Sequence, residues 1–118
     1  MGQKEIFNLL AAGLIDDIPK GTRFREAILN IMRQEGVVEF NSYLIDSSGK
    51  KIDLEVSMGY KYAKAILELY TITQTQAPIH ANWNRAKYIL YPDAKMSIEY
   101  IWDQNLQDEI DRLNASNI

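Results

Sequence analysis

The chain has 118 residues, of which 47% are hydrophobic and 25% are charged, and these values are ordinary for one folded domain with a single core. Its net charge of −3 argues against direct nucleic-acid binding, and its lack of cysteine excludes disulfides and thiolate metal sites. No apolar run approaches the roughly 18 residues of a membrane span. The amphipathic N-terminus does not have the layout of a secretory signal peptide, so we expect a cytoplasmic protein with no membrane partner.

The first predicted element is a helix over residues 3–17, which stops before Pro19. Its apolar positions recur at helical spacing, which indicates one buried face. They are Ile6, Leu9, Leu10, Gly13 and Leu14.

Three strands are predicted next. Residues 23–36 fit either a helix or a strand, and we favour a strand because Gly36 ends it and the β-rich residues 37–45 follow. A turn at residues 46–51 then leads to a third strand over residues 52–57.

A second helix follows, with Ser57 as its expected N-terminal cap. Its predicted apolar stripe consists of Tyr62, Ala63, Ile66, Leu67 and Tyr70. A polar connection over residues 73–82 leads to a β-hairpin and a final helix, capped by Asp103 or Asn105. One face of this helix carries Leu106, Ile110 and Leu113.

The element order predicts an α+β fold for the whole of residues 1–118. We expect a single antiparallel sheet of about five strands with the helices packed on one face, in the order α-β-β-β-α-β-β-α.

The register of the last hairpin can be predicted from its side chains. A two-residue loop at Pro92 and Asp93 would mix apolar and polar residues on each face. A three-residue loop that ends at Ala94 separates them, so we favour it. The expected core wall is then Tyr88, Leu90, Met96, Ile98, Tyr100 and Trp102. The opposite face, which is mixed and open to a partner, carries Lys87, Ile89, Ser97, Glu99, Ile101 and Asp103.

No chemical motif accompanies this fold. His80 is the only histidine, which rules out a multi-histidine metal site and suits a surface or packing role. No serine lies in a nucleophile elbow, and in residues 46–55 Gly49 and Lys50 stand at the wrong positions for a calcium loop. We therefore predict no catalytic, cofactor-binding or metal-binding residue.

Acidic residues are concentrated at the end of the sequence. Residues 99–118 hold five acids and one base, which is −4, whereas the rest of the chain has 12 bases and 11 acids. A solvated acidic tail explains this pattern, but so does an interface for a basic protein. The candidate acids are Asp46, Asp53, Glu55, Glu99, Asp103, Asp108, Glu109 and Asp111, and the candidate apolar anchors are Tyr43, Tyr91 and Ile101.

The hairpin also carries a resemblance. The segments "WNRAKYIL" (83–90), "KMSIEYIWD" (95–103) and "YLIDSSGKKIDL" (43–54) resemble the YezG-like immunity proteins, small bacterial proteins encoded beside polymorphic toxins that include nucleases. The similarity covers most of residues 1–103, and its specific part is residues 83–103. Two features depart from the family pattern: Ala94 stands where glycine is common, and the helix after residue 103 is a local elaboration.

The resemblance implies a cytoplasmic protein that binds a cognate toxin domain and neutralises it without catalysis or a cofactor. If the toxin is a nuclease, its substrate groove is basic and an acidic surface would complement it. Charge placement then selects the expected partner-binding residues Tyr91, Glu99, Ile101, Asp103, Asp108 and Asp111.

Three points stay open. The chain could instead be a non-catalytic regulatory or scaffolding module that binds another protein. A small enzyme or ligand binder that uses His80 and nearby tyrosines is a third option. The sequence does not decide whether the protein forms a homodimer.

Overall fold

A computed structural model of the chain describes residues 1–55, 57–76 and 82–116. These residues form three helices and five strands, and the strands make one open antiparallel sheet in the order β3-β2-β1-β4-β5. The predicted α+β class and element order are confirmed, and the ambiguous segment is a strand. The elements are α1 (Gln3–Asp17), β1 (Phe24–Gln34), β2 (Val37–Asp46), β3 (Lys51–Leu54), α2 (Tyr60–Gln76), β4 (Arg85–Leu90), β5 (Met96–Ile101) and α3 (Gln104–Ser116).

A two-residue turn joins the two longest strands. Gln34 pairs with Val37, and the residues between them, Glu35 and Gly36, have φ values of 38° and 85°. Positive φ at both central positions is the geometry whose twist matches that of the flanking strands. Glycine adopts a positive φ without steric cost, and Gly36 therefore lies in the turn that ends the first strand, as predicted.

The core lies between the sheet and two helices. Side chains of α1 and α2 pack against one face of the sheet, which we call the inner face, and α1 approaches α2 closely at Gly13. A β-carbon on Gly13 would lie 2.7 Å from the Tyr62 ring, so this position must stay small. The fully buried side chains of the core include Ile6, Leu10, Leu14, Leu29, Leu44, Ile66, Leu69, Trp83 and Tyr88.

Tyr88 ties the first helix to the sheet. Its ring is fully buried, and its hydroxyl donates a hydrogen bond of 3.0 Å to the carbonyl of Phe7. Burial raises the pKa of Tyr88, because the phenolate would lose its hydration in the core. The neutral phenol is therefore the form that this core accommodates.

The predicted hairpin register is confirmed. Leu90 pairs with Met96, and Tyr88 pairs with Ile98. The backbone N–H of Tyr91 donates to the carbonyl of Lys95 at 2.9 Å, which closes a loop of three residues. The helices cover the face of the hairpin that was predicted to be the core wall.

Trp102 is an exception to this prediction. Its side chain is 45% exposed, and its indole N–H donates to Gln104 Oε1 at 2.9 Å. β5 ends at Ile101, so the strict alternation of strand side chains no longer holds at Trp102. The inclusion of Trp102 in the core wall was wrong.

The predicted start of α2 was also wrong. Ser57 does not cap the helix: its hydroxyl donates to Asp17 Oδ1 at 2.5 Å, and this bond ties the end of α1 to the segment before α2. The helix instead begins after Gly59, whose carbonyl accepts hydrogen bonds from the N–H groups of Tyr62 and Ala63. The most buried residues of the helix are Ala65, Ile66, Leu69 and Thr73, about one position away from the predicted stripe.

The third helix lies outside this core. Among the described residues, α3 contributes no side chain to the core cluster, although Leu106 and Ile110 are half-buried. In the described part of the chain, no helix is both long enough and apolar enough to cross a membrane.

Candidate functional site

The face of the sheet opposite α1 and α2, which we call the outer face, is covered by neither of these two helices. Strand pairing brings side chains of all five strands into rows across it. Ile28 is the centre of one row, between Tyr43 of β2 and Ile89 of β4. It is fully buried although it is not part of the core cluster. The outer face is therefore closed at its centre and does not open into the core.

A groove of 290 Å³ lies on the outer face toward one end of the sheet. Two side chains at its edge form a cross-strand contact, in which Asn30 Nδ2 donates to Asn41 Oδ1 at 3.4 Å. The lining combines amide, charged and apolar groups, which suits a protein segment better than a purely apolar ligand. The outer-face side chains that line it are Asn30, Met32, Glu39, Asn41, Arg85 and Ile101.

Asn84 anchors the chain where β5 leads into α3. Its side chain is 2% exposed, and it binds both backbone groups of Asp103: Nδ2 donates to the carbonyl at 2.8 Å and Oδ1 accepts from the N–H at 2.7 Å. The backbone N–H of Asn84 donates to Ile101, and its carbonyl accepts from Arg33. One buried residue thus sets the direction in which α3 leaves the sheet.

Asp103 is the N-terminal cap of α3, one of the two caps predicted. Its Oδ1 accepts the N–H of Leu106 at 3.1 Å, and its Oδ2 forms an ion pair with Arg85 Nε at 2.7 Å. The hydrogen bond from Arg85, followed by that from Leu106, lowers the pKa of Asp103 below its usual value. The charge of this predicted contact residue is therefore already paired within the chain.

The acids of α3 point their charges toward solvent. Asp108 accepts a hydrogen bond from Gln104 Nε2, and Asp111 accepts one from Gln107 Nε2, both at 2.9 Å. These partners are neutral, so the two negative charges are not cancelled by them. Glu109 lies 3.8 Å from Arg112 on the same helix, which offsets its charge only weakly because both side chains are exposed.

Five of the six predicted partner-binding residues lie on β5, at the cap of α3 or on α3 itself. Ile101 lines the groove, Asp103 is paired with Arg85 of the same groove, and Glu99 is exposed on the same face of β5. Asp108 and Asp111 follow on α3. We call these five residues together with the groove the acidic end.

Tyr91 does not belong to this group. It lies at the hairpin loop, opposite Lys95, at the other end of β5 from Ile101. Six residues of strand separate these two positions, which corresponds to about 20 Å. A single interface would therefore have to extend over about 20 Å to include both Tyr91 and Ile101.

The remaining candidates from the sequence have local roles. Asp46 accepts hydrogen bonds from Ser48 and Lys50 in the turn before β3, and the bond from the Ser48 hydroxyl is the main reason that the pKa of Asp46 is lowered. The Tyr43 ring lies beneath Lys51, whose Nζ is 4.5 Å from the ring centroid. His80 lies outside the described residues.

Asn84 and the polar lining of the groove are not among the residues predicted from the sequence. Asn30 and Asn41 each occupy the outward position of a strand that otherwise carries many apolar residues, and this signal was visible once β1 and β2 were aligned. Asn84 had no such signal, because its partner Asp103 is 19 residues away and the contact depends on the path of the chain after β5.

A cluster of aromatic rings beside α2 is filled by the side chain of Arg33. The Arg33 guanidinium carbon lies 3.5 Å from the centroid of the Tyr70 ring, and its Nη2 donates to the carbonyl of Trp83 at 2.9 Å. Tyr100 packs on Trp83 with ring centroids 5.1 Å apart, and burial raises the pKa of Tyr100 to about 12. This arrangement is typical of a structural cation–π contact.

Among the residues that the structure describes, no three His, Asp or Glu side chains come together in a way that could hold a metal ion. No protein-family model matches the chain, and a comparison with curated proteins finds none that is significantly similar.

Proposed function

We propose that this protein is an immunity protein, which binds a bacterial toxin domain directly and neutralises it. The resemblance of residues 83–103 to the YezG-like immunity proteins suggests this class. The observation that carries the proposal is the outer face opposite α1 and α2, which has a mixed polar and apolar groove beside the exposed acid Glu99.

Each part of the acidic end has a distinct task in this proposal. Ile101 serves as an apolar anchor in the groove, since partly buried aliphatic and aromatic side chains are the usual centres of protein interfaces. Glu99, Asp108 and Asp111 attract a basic toxin and speed its association. Asp103 acts by holding α3 in place through Arg85 and Asn84.

Co-expression tests the proposal directly. The toxin domain encoded beside this gene is induced in cells with and without this chain, and growth is followed. We expect growth to be restored by the intact chain, and we expect the two purified proteins to form a complex. Cell death at the same rate in both cultures would refute the immunity function.

A pair of variants locates the contact. Ile101→Arg places a charge in the groove, and we expect binding to weaken by about 2 kcal/mol, or roughly 30-fold in Kd. Tyr60→Arg is the matched control, because Tyr60 is 82% exposed and belongs to α2 on the other side of the sheet. If circular dichroism shows that both variants are folded and the two bind the toxin domain with equal affinity, the groove is not part of the interface.

A further inference from the structure

The two edges of the sheet differ in how they are protected. β3 forms one edge, has four residues, and carries the exposed charges of Lys51 and Asp53. Short, charged edge strands resist pairing with another chain. β5 forms the other edge, with six residues and a sequence in which Glu99 is the only charged side chain. Within the described residues, no strand lies beyond it.

The hairpin register shows which backbone groups of β5 face this edge. The bond from Tyr91 N–H to the Lys95 carbonyl marks a hydrogen-bonded pair. Such pairs alternate along an antiparallel ladder, so Ser97 and Glu99 also bond to β4. Met96 and Ile98 are in the intervening positions, where the N–H and C=O groups point away from β4. These groups form a ready template for another strand.

We propose that the free edge of β5 binds an extended segment of the toxin domain, which adds a sixth strand to the sheet. This inference rests on the proposed function for its partner and deepens it by stating how the partner docks. Main-chain hydrogen bonds from Met96 and Ile98 supply the contact. At about 3.3 Å per residue, β5 accommodates a segment of about six residues.

The charge of β5 defines the chemistry of this segment. Glu99 is exposed on the outer face, and residues 99–118 carry a net −4 from five acids and one base. A basic side chain in the added strand beside Glu99 is stabilised, whereas an acidic one is repelled. The partner segment is therefore expected to alternate between basic and β-branched residues.

A peptide probe tests the edge without the toxin. The ¹⁵N-labelled protein is titrated with a capped peptide of alternating lysine and valine, about seven residues long, up to about 1 mM. We expect the Met96 and Ile98 amides to shift and to exchange more slowly, while Ser97 and Glu99, already bonded to β4, change little. The same peptide with glutamate in place of lysine is the control and should leave these amides unchanged.

A charge reversal in the protein tests whether Glu99 attracts the basic peptide. Glu99→Lys should weaken binding of the basic peptide about 5- to 10-fold, because an attraction across the strands becomes a repulsion. Asp53→Lys makes the same change in net charge on β3, at the opposite edge of the sheet, and should change the affinity for the peptide by less than about twofold.

The outcomes separate the two proposals. No response of Met96 and Ile98, or equal responses to both peptides, would overturn the docking of a basic strand. A dimer of twice 13.6 kDa with these two amides already protected would overturn it in favour of a second copy of the chain. Failure to rescue growth, with the peptide response intact, would instead remove the immunity function.

Discussion

Ala94 is held in a backbone conformation that suits glycine. It is the last residue of the three-residue hairpin loop, and its φ is 68°. Its N–H donates to the carbonyl of Tyr91 at 3.0 Å, so the loop geometry keeps it in this region. An L-residue with a β-carbon meets steric strain there, which glycine avoids. We therefore expect Ala94→Gly to raise the free energy of unfolding by about 1 kcal/mol, measured by urea denaturation.

A matched substitution elsewhere should have the opposite sign. Ala12 is exposed in the interior of α1, where glycine costs backbone entropy and helix propensity. Ala12→Gly should lower the free energy of unfolding by about 1 kcal/mol. If Ala94→Gly also lowers it, the left-handed conformation of the loop is not a source of strain.

Individual residues were predictable where one local rule acted alone. The pattern placed Ala94 at the end of a three-residue hairpin loop, and it offered Asp103 as one of two caps of the last helix, because each depends on a few neighbours. Ser57 and Trp102 were misplaced for different reasons. Ser57 has a competing acceptor in Asp17, 40 residues away, and Trp102 follows the end of β5, where the alternation of side chains stops.

At the scale of elements, the hairpin and α3 are held by different forces. The register of β4 and β5 follows from burial of one apolar face, so the alternation in the sequence was sufficient to predict it. In the part of the chain that the structure describes, α3 buries no side chain in the core, and hydrogen bonds near Asp103 hold its start. Its orientation could not be predicted, because Asn84 reaches Asp103 only in the folded sheet.

The start of α3 should therefore respond to acid. The pKa of Asp103 in the folded protein is lower than the ordinary value of 3.8, mainly because of the bond from Arg85. The carboxylate thus stabilises the folded state above about pH 4, and this contribution is lost as the pH falls through the lowered pKa. We expect the Leu106 amide resonance to show fraying of the first turn in that range, before the core amide of Tyr88 changes.

A neutral cap provides the control for this experiment. Asn is also a good N-terminal cap but does not titrate, so Asp103→Asn should keep the first turn of α3 and remove its dependence on acid. The ion pair with Arg85 is absent in this variant at every pH. If the Leu106 amide of Asp103→Asn titrates like that of the unaltered protein, another carboxyl controls the helix start.

At the scale of the whole molecule, charge is distributed unevenly along the chain. Residues 99–118 account for −4, and residues 1–98 are close to neutral. Among the predicted contacts, Asp103 is paired with Arg85, while Glu99, Asp108 and Asp111 are exposed. The long-range electric field of these three carboxylates depends on their combined positions and not on any single contact.

Reversing the three exposed acids tests whether this field guides association. The triple change Glu99→Lys, Asp108→Lys and Asp111→Lys turns the net charge from −3 to +3, since each reversal adds two. We expect association with a basic toxin domain to slow by about tenfold at low salt, and by much less near 0.5 M salt, where screening is strong. Stopped-flow mixing at several salt concentrations measures this difference.

The position of the charges, as distinct from their sum, is tested by a second triple variant. Glu5, Asp16 and Glu55 are exposed outside β5 and α3, and changing all three to Lys gives the same net charge of +3. Because the acidic end is left intact, the association rate at low salt should fall by less than about threefold. If the two triple variants slow association equally at each salt concentration, only the net charge matters, and the acidic end does not steer the partner.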